Sequence, residues 1–366
     1  MKIISSKDNL LDGINIVQKA VSSKNNVSLL DGILLEAGDI FKMTGNDLEI
    51  GIECIVESDI RKKGSVVINS KMLGEIIRRM PESEVMIEML ENYDVIIECE
   101  NSHFKIKGNP ADDYPSLPKI EAEQSFKISQ KIAKEMIRQT IFAVGVDENR
   151  KILMGSLIES MENEINFVSI DGFRMAMRKR KEDIQNTNFK VVVPGKTLSE
   201  ISKILQPVDN EIEIFSTKNQ ILFKINNCMV MSRLLEGEYL NYRSIIPDEY
   251  ETKVKVNKKE ILSSIERASL ISDDEKRYPV KFEVIDDTII ISSKTEIGDV
   301  RDEITVETEG KNIEIGFNPK YFIEALKAIE DEEIYIFFNS DIGPCTIRPL
   351  DSDEFAYMIL PVRIKN

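Results

Sequence analysis

The sequence lacks several features on which common catalytic functions depend. It has no tryptophan and a single histidine, His103, among 366 residues. Its four cysteines form no Cys-x-x-Cys pair, so zinc sites and dithiol redox motifs have no support. We interpret His103 as a strand residue rather than a catalytic base, because no partner for it is visible. The cysteines lie in apolar, strand-like runs, and we expect all four to be reduced core thiols: Cys54, Cys99, Cys228 and Cys345.

Long apolar runs are also missing. The longest, such as 191–193 and 289–291, fall far short of the ~20 residues that span a bilayer. The N-terminus turns polar at Ser5 and has no signal-peptide hydrophobic segment. We therefore expect a cytoplasmic protein with no membrane partner.

Glycine-rich phosphate loops are absent, since neither GxxxxGK[ST] nor GxGxxG occurs. Paired carboxylates such as Asp112-Asp113 and Asp286-Asp287 could suggest two-metal chemistry. Each pair lies between apolar runs, where aspartate is favoured for turn hydrogen bonds. The sequence therefore predicts no catalytic residue, no metal and no cofactor.

What the chain does contain is a threefold repeat. A strand residue, a Ser or Asn and two apolar residues recur with spacings of 3, 4 and 4, which predicts a strand, an N-cap and an amphipathic helix. This unit begins at Ile3, Phe126 and Val254. A second strand–breaker–helix unit follows at 66–73, 191–198 and 315–322. The alternative is chance recurrence of common strand–helix patterns.

Alternating strands follow each second helix, so each repeat is a whole domain with two helices and antiparallel strands, an α+β plan. Proline- and acid-rich segments mark the joints. The predicted domains are 1–122, 123–250 and 251–366. The predicted helices are 7–21, 70–80, 130–144, 196–205, 258–271 and 319–329.

The charge is divided unequally between helices and the rest. The whole chain carries a net charge of −16, which argues against nucleic acid. The six predicted helices, however, hold 15 basic and 8 acidic residues, a net charge of +7, while the remainder carries −23. Helices that line one surface would attract phosphate there. The alternative is an ordinary lysine-rich helix composition.

Two motifs within this repeat resemble those of the bacterial DNA polymerase sliding clamps, the β subunits of polymerase III. They are IDGFRMA at 170–176 and YMILPVRI at 357–364. Supporting stretches are GNDLE at 45–49, NPADDYP at 109–115 and GEYLNYR at 237–243. The resemblance covers the whole chain.

The resemblance implies three similar domains of the DNA clamp fold, joined in a head-to-tail homodimer that forms a ring around duplex DNA. Such a ring gives a replicative polymerase its processivity, without base recognition and without chemistry of its own. It would work near the nucleoid and dock the polymerase, the clamp loader, repair polymerases and other proteins with clamp-binding motifs. A polymerase-associated enzyme that processes nucleotides is the alternative, which clustered acids and a metal would favour.

The resemblance also implies three sets of site residues. The DNA-binding residues would be Lys24, Lys71, Arg78, Arg79, Lys151 and Lys196. The dimer interface would join Phe104 and Ile106 to Leu270 and Ile271. The partner-peptide pocket, with Arg174 and Arg363 at its rim, would consist of Leu153, Ile170, Gly172, Phe173, Arg174, Met175, Leu240, Ser244, Ile245, Pro247, Met358, Leu360, Pro361, Val362 and Arg363.

The chain departs from the family at two places. Phe173 stands where the family often has histidine, which would make the pocket more apolar. No aromatic pair follows Arg150, so an aromatic DNA contact is not expected there, although Lys151 supplies charge. The interface and pocket residues have a plain alternative, which is that they fill domain cores.

Overall fold

The computed structural model describes residues 1–21, 28–118, 124–161, 163–182, 189–247, 249–271 and 279–364. Within these ranges it contains six α-helices, two in each predicted domain. They are α1 (Lys7–Val17), α2 (Ser70–Arg79), α3 (Gln130–Arg138), α4 (Gly195–Ile204), α5 (Lys258–Ser269) and α6 (Pro319–Ala328). The prediction of the six helices is confirmed.

Local side chains explain where these helices start. Ser6 Oγ accepts a hydrogen bond from the Asn9 amide at 3.2 Å, and Asn257 Oδ1 accepts one from the Lys259 amide at 2.9 Å. Such acceptors satisfy amides that have no partner within the helix. The predicted N-caps at Ser6 and Asn257 are therefore confirmed.

Two helices end earlier than predicted. The chain tightens into 3₁₀ turns at Gln18–Ala20 and Ile141–Ala143. Near the second turn, the Thr140 hydroxyl donates to the Met136 carbonyl at 2.7 Å and competes with the backbone for that acceptor. The apolar stripe continues through these turns, so the hydrophobic pattern alone extends both helices too far.

The strands also fall into three successive sets. The first is β1 (Lys2–Ser6), β2 (Gly32–Ala37), β3 (Phe41–Asn46), β4 (Ile50–Ile55), β5 (Asp59–Lys62), β6 (Gly64–Asn69), β7 (Glu84–Met89), β8 (Asp94–Cys99) and β9 (Ser102–Lys107). The second is β10 (Gln124–Ser129), β11 (Gly155–Met161), β12 (Glu164–Ile170), β13 (Arg174–Lys181), β14 (Lys190–Pro194), β15 (Glu211–Ser216), β16 (Gln220–Ile225) and β17 (Cys228–Arg233). The third is β18 (Thr252–Asn257), β19 (Val280–Ile285), β20 (Thr288–Thr295), β21 (Gly298–Thr305), β22 (Glu307–Gly310), β23 (Ile313–Phe317), β24 (Glu333–Phe338), β25 (Cys345–Arg348) and β26 (Phe355–Ile359).

The chain forms two compact units, and each contains half of the middle repeat. Unit 1 comprises 1–131 and 203–234, and unit 2 comprises 132–202 and 235–366. Because these limits cut through the middle repeat, they do not test the domain boundaries predicted after residues 122 and 250. Those boundaries stay predictions.

Unit 1 contains two antiparallel sheets, ordered β5-β1-β7-β8-β9 and β10-β15-β16-β17-β4-β3-β2-β6. The second sheet joins the first two repeats, because β17 pairs with β4. Helix α1 packs on β3 and β4, and Leu10, Ile14 and Val17 are fully buried on one of its faces. This is the i, i+4, i+7 stripe that the sequence predicts.

Unit 2 has the same plan. Its sheets are ordered β14-β11-β12-β13-β26-β25-β24-β18-β22 and β21-β20-β19-β23. The larger sheet joins the second and third repeats through the pairing of β13 with β26. In the third repeat, Phe282, Phe317 and Phe322 pack with ring centroids 4.7 to 5.3 Å apart.

The cysteines differ from expectation at one pair. Cys54 of β4 and Cys228 of β17 form a disulfide, so the prediction of reduced thiols is wrong for these two. Cys99 and Cys345 are buried free thiols. Burial raises the pKa of both thiols and keeps them protonated.

In the part of the chain that the structure describes, no helix is long and apolar enough to cross a membrane.

Candidate functional site

A tight turn between β12 and β13 presents one aromatic side chain to solvent. Asp171 Oδ1 accepts hydrogen bonds from the amides of Phe173 and Arg174 at 2.8 and 3.0 Å, which fixes the turn. Gly172 has φ +95°, a backbone conformation that residues with a side chain rarely adopt, so the turn favours glycine at this position. The turn leaves Phe173 57% exposed, and its ring stacks on Tyr321 with 6.4 Å between centroids.

Arg174 lies beneath this turn and not at a rim. The residue is only 7% exposed, so the expectation that Arg174 frames the pocket rim is wrong. Its guanidinium donates to Asp171 Oδ2 at 2.9 Å and also to Glu324 and the Phe142 carbonyl. It lies 4.5 Å from the centroid of the Tyr321 ring. Burial is tolerated because two carboxylates and a carbonyl satisfy its donors.

The C-terminal segment, residues 360–364, is docked on the body of unit 2. The Leu360 amide donates to the Phe173 carbonyl at 2.9 Å, and the Val362 amide donates to the Gly316 carbonyl at 2.8 Å. Between them Pro361 has no amide to satisfy. These two hydrogen bonds hold the segment against the protein.

Beneath the turn lies a buried apolar cluster that collects several predicted pocket residues from distant parts of the chain. Leu153, Ile170, Met175 and Met358 belong to this cluster, and Ile245 packs against it. Met175 pairs directly with Met358 across β13 and β26. These residues form the floor of the candidate site.

The other predicted residues lie nearer the surface. Leu240 is 48% exposed, Leu360 36% and Val362 37%. Ser244 is exposed and donates to the Asn241 carbonyl at 2.8 Å, and Arg363 is also exposed. Pro247 is half-buried, and its carbonyl accepts from Arg348 at 3.0 Å. We use the term apolar groove for the four exposed apolar side chains of unit 2 that were predicted for the pocket, Phe173, Leu240, Leu360 and Val362.

Three of the predicted DNA-binding residues share one exposed face of α2. Lys71, Arg78 and Arg79 occupy positions i, i+7 and i+8, which lie on one side of a helix. Glu75 of the same helix is half-buried and pairs with Arg78 at 2.6 Å and with Arg79 at 3.1 Å. A cavity of about 380 Å³ is lined by two basic residues, Lys71 and Arg78, and by two acidic ones, Asp31 and Glu75. On the exposed side of α2 itself, three basic side chains outnumber one acidic side chain.

The remaining predicted DNA contacts lie on other elements. Lys151 is exposed on the 3₁₀ segment Glu148–Met154, and Lys196 is exposed in the first turn of α4. Lys24 lies outside the described residues.

The four predicted interface residues are accessible. Phe104 is 41% exposed on β9, an edge strand of the five-stranded sheet, and Ile106 of the same strand is half-buried. Leu270, which follows α5, is 80% exposed, and Ile271 is half-buried. The alternative of four core residues therefore does not hold.

Among the described residues, the histidine and the acidic side chains give little support for acid–base or metal chemistry. His103 is exposed on β9, with its Nδ1 2.7 Å from Glu98 Oε1. Among the described residues, no group of three His, Cys, Asp or Glu side chains is placed to hold a metal ion.

Sequence reasoning missed the residues that hold the site together. Asp171, Glu324 and Tyr321 position Arg174 and Phe173, but none was predicted as a site residue. The Asp-Gly step was a usable signal for the turn. No local signal points to Glu324, which lies 150 residues from Arg174.

Comparison with known proteins identifies the fold and family. Profiles of the N-terminal, central and C-terminal domains of the DNA polymerase III beta subunit match residues 1–118, 127–241 and 243–363. The Beta sliding clamp of Bacillus subtilis (strain 168) is 36% identical over 376 residues, which cover 99% of this chain and 100% of the relative.

Solved structures agree. A putative DNA polymerase III beta subunit from Eubacterium rectale has a TM-score of 0.96 and 39% identity over 99% of both chains. The DNA polymerase sliding clamp from Bacillus subtilis has a TM-score of 0.95 and 36% identity over 100% of both. The expected three-domain clamp fold is confirmed. The chain belongs to the DNA polymerase III beta subunit family.

Proposed function

We propose that two copies of this chain close head to tail into a ring around duplex DNA and tether a replicative DNA polymerase to its template. The observation that carries the proposal is the match of all three beta-subunit domains, in order, along one chain. Phosphate contacts carry no sequence information, so a basic lining would permit sliding. The chain would be a non-catalytic processivity subunit in the cytoplasm, at the nucleoid.

The test is primer extension on a primed circular template with the replicative polymerase and clamp loader. Adding the chain should lengthen the products of single binding events at limiting polymerase. Unchanged product length would contradict the proposal. The alternative, a nucleotide-processing enzyme, predicts metal-dependent nucleotide turnover by the purified chain alone, and we expect none.

An exposed edge strand supports ring closure. An unpaired strand edge is a ready template for pairing with another chain, and β9 and β21 are edges of their respective sheets. Lys105 and Lys107 of β9 are exposed. Strand β21 carries three acidic residues, Asp299, Asp302 and Glu303, and one basic residue, Arg301. Opposite charges on the two edges would favour head-to-tail pairing, with Phe104 and Leu270 as apolar anchors.

Ring formation is tested by solution mass. The double variant Leu270→Asp, Ile271→Asp places charges in an apolar contact and should shift the protein from dimer to monomer by light scattering. Val146→Asp is the matched control, because Val146 is 90% exposed in the middle repeat, which the interface would not include. A dimeric double variant at low micromolar concentration would refute this interface.

We also propose that the predicted DNA-binding residues line the ring and contact phosphates. They are Lys71, Arg78, Arg79, Lys151, Lys196 and Lys24, of which Lys24 lies outside the described residues. Each phosphate contact contributes about −0.9 to the slope of log K against log salt. The triple variant Lys71→Ala, Arg78→Ala, Arg79→Ala should therefore flatten the salt dependence of duplex binding. An unchanged slope would place these residues away from DNA.

The apolar groove supports a docking role. Apolar patches with a few polar neighbours are typical ligand sites, and this one joins a turn, an interdomain segment and a docked terminus. We propose that it binds the short Gln- and Leu/Phe-containing segments of polymerases, the clamp loader and repair proteins. The buried cluster beneath it would keep the groove pre-formed.

A further inference from the structure

Cys54 and Cys228 come from different repeats and meet in one sheet of unit 1. They are 174 residues apart in sequence, yet they pair directly across β4 and β17 with Cα atoms 4.2 Å apart. The Ile55 amide donates to the Asn227 carbonyl at 3.0 Å. The next pair, Cys54 and Cys228, is therefore a non-hydrogen-bonded pair, in which facing side chains come closest. The register of the two strands therefore places the two sulfur atoms side by side.

We propose that Cys54 and Cys228 are an oxidisable dithiol site whose disulfide covalently locks the sheet junction between the first and second repeats. The oxidant is a small-molecule disulfide such as oxidised glutathione. One cysteine thiolate attacks the oxidant, giving a mixed disulfide and one released thiol, and the second thiolate then displaces the other thiol. The two cysteines lose two electrons and two protons, which the oxidant gains as it becomes two thiols.

Of the four cysteines, Cys54 and Cys228 form a disulfide and the other two do not. Cys99 lies on β8 and Cys345 on β25, in two other sheets, and both are free thiols. In unit 2 the corresponding junction joins β13 to β26, and there Arg178 faces Phe355 at the position that matches Cys54 and Cys228. Only the junction in unit 1 therefore has cysteines in facing positions among the described residues.

Burial shields the bond once it has formed. Cys54 is 0% and Cys228 2% exposed, so a reductant reaches the sulfur atoms only when the sheet opens. The disulfide also closes a long loop, which restricts the unfolded chain more than a short loop would. Oxidation should therefore stabilise unit 1. This inference goes beyond the proposed function and does not depend on ring formation.

The first experiment identifies the bond. The full-length protein is refolded, and in parallel held native, in reducing and oxidising glutathione buffers. It is then unfolded in denaturant that contains N-ethylmaleimide, so that every free thiol is alkylated, and is digested and analysed by mass spectrometry. Refolding under oxidising conditions should give one linked peptide pair containing Cys54 and Cys228, with Cys99 and Cys345 alkylated. Alkylation of Cys54 and Cys228 after both treatments would overturn the proposal.

The second experiment measures how much the disulfide stabilises the folded protein. Reduction of the wild type should lower the apparent melting temperature by about 5 °C. The variant Cys54→Ser, Cys228→Ser should show no redox dependence, while Cys99→Ser, the matched control, should keep the full shift. The reduced wild type provides a reference free of any substitution. Equal melting of oxidised and reduced wild type would refute the lock.

Discussion

Two turns of the same construction serve different purposes in the two units. In unit 2, Asp171 Oδ1 accepts from the amides two and three residues ahead. In unit 1, Asp47 Oδ1 does the same with Glu49 and Ile50, at 3.0 and 2.8 Å. Each turn has one residue at positive φ, Gly172 at +95° and Leu48 at +74°. The first and second repeats therefore share the hydrogen-bond pattern of this turn.

The surroundings of the turns differ. Beside the turn of unit 1, a cavity of about 150 Å³ is lined in part by Pro115 and Leu117, and Leu117 Cδ2 would lie 2.2 Å from a Cβ on Gly51. A segment of the chain itself therefore packs closely beside this turn. In unit 2 the equivalent turn presents exposed Phe173 beside the docked terminus. The same kind of turn thus lies against a segment of its own chain in unit 1 and carries an exposed aromatic side chain in unit 2.

The largest effect is expected from Arg174→Ala. This change leaves the carboxylates of Asp171 and Glu324 without their cation, and losing one partner of a buried ion pair costs about 3 kcal/mol. Arg233→Ala is the matched control beside the other turn, because Arg233 is exposed. The measurement is the urea midpoint by circular dichroism. Equal midpoints for the two variants would contradict the difference between the turns.

Phe173→Ala should weaken binding of a polymerase peptide about tenfold, since exposed aromatic anchors carry much of the energy of such contacts. Leu48→Ala removes the exposed apolar residue of the corresponding turn in unit 1, 51% exposed, and should leave affinity unchanged. Calorimetric titration measures both. An equal loss of peptide affinity in the two variants would mean that the peptide does not distinguish the apolar groove from the turn of unit 1.

The smallest effect tests the equivalence of the repeats. The Tyr114 hydroxyl lies 3.3 Å from the carbonyls of Gly32 and Thr44, and that of Tyr239 lies 3.3 and 3.2 Å from those of Gly155 and Val168. Tyr114→Phe and Tyr239→Phe should each cost about 1 kcal/mol of unfolding free energy. Unequal costs, measured by urea unfolding at pH 7, would break the equivalence.

The same tyrosines predict a pH dependence. Burial raises the pKa of Tyr114 and of Tyr239 above the ordinary value of 10.0. The folded state therefore keeps its protons where the unfolded state loses them, so stability is full below pH 10 and falls as pH rises further. Each Phe variant should lose less stability on alkaline titration than the wild type. An unchanged alkaline dependence would contradict the assignment.

The sequence predicts the local features well and the distant ones poorly. Helix starts follow from nearby residues such as Ser6 and Asn257, whose side chains bond amides two or three positions away. The Cys54–Cys228 pairing depends on the register of strands far apart in sequence, which no local pattern contains. The burial of Arg174 depends in the same way on Glu324.

The candidate site could also be predicted only in part, because sequence patterns do not show which residues are buried. The residues of the pocket came from family resemblance, and the structure brings Leu153, Ile170, Met175 and Met358 into one cluster. Exposure was not predictable, because apolar residues at a groove and in a core have the same pattern in sequence. The rim position expected for Arg174 was wrong for the other reason, because its buried partner Glu324 lies 150 residues away in sequence.

The central claim is that a closed ring holds DNA by topology. The most direct measurement is retention of the labelled protein on DNA after loading by the clamp loader onto nicked circular plasmid, with gel filtration before and after linearisation. The protein should stay with the circle through filtration at high salt and leave when a single cut opens the plasmid. Equal retention on circular and linear DNA would contradict the ring.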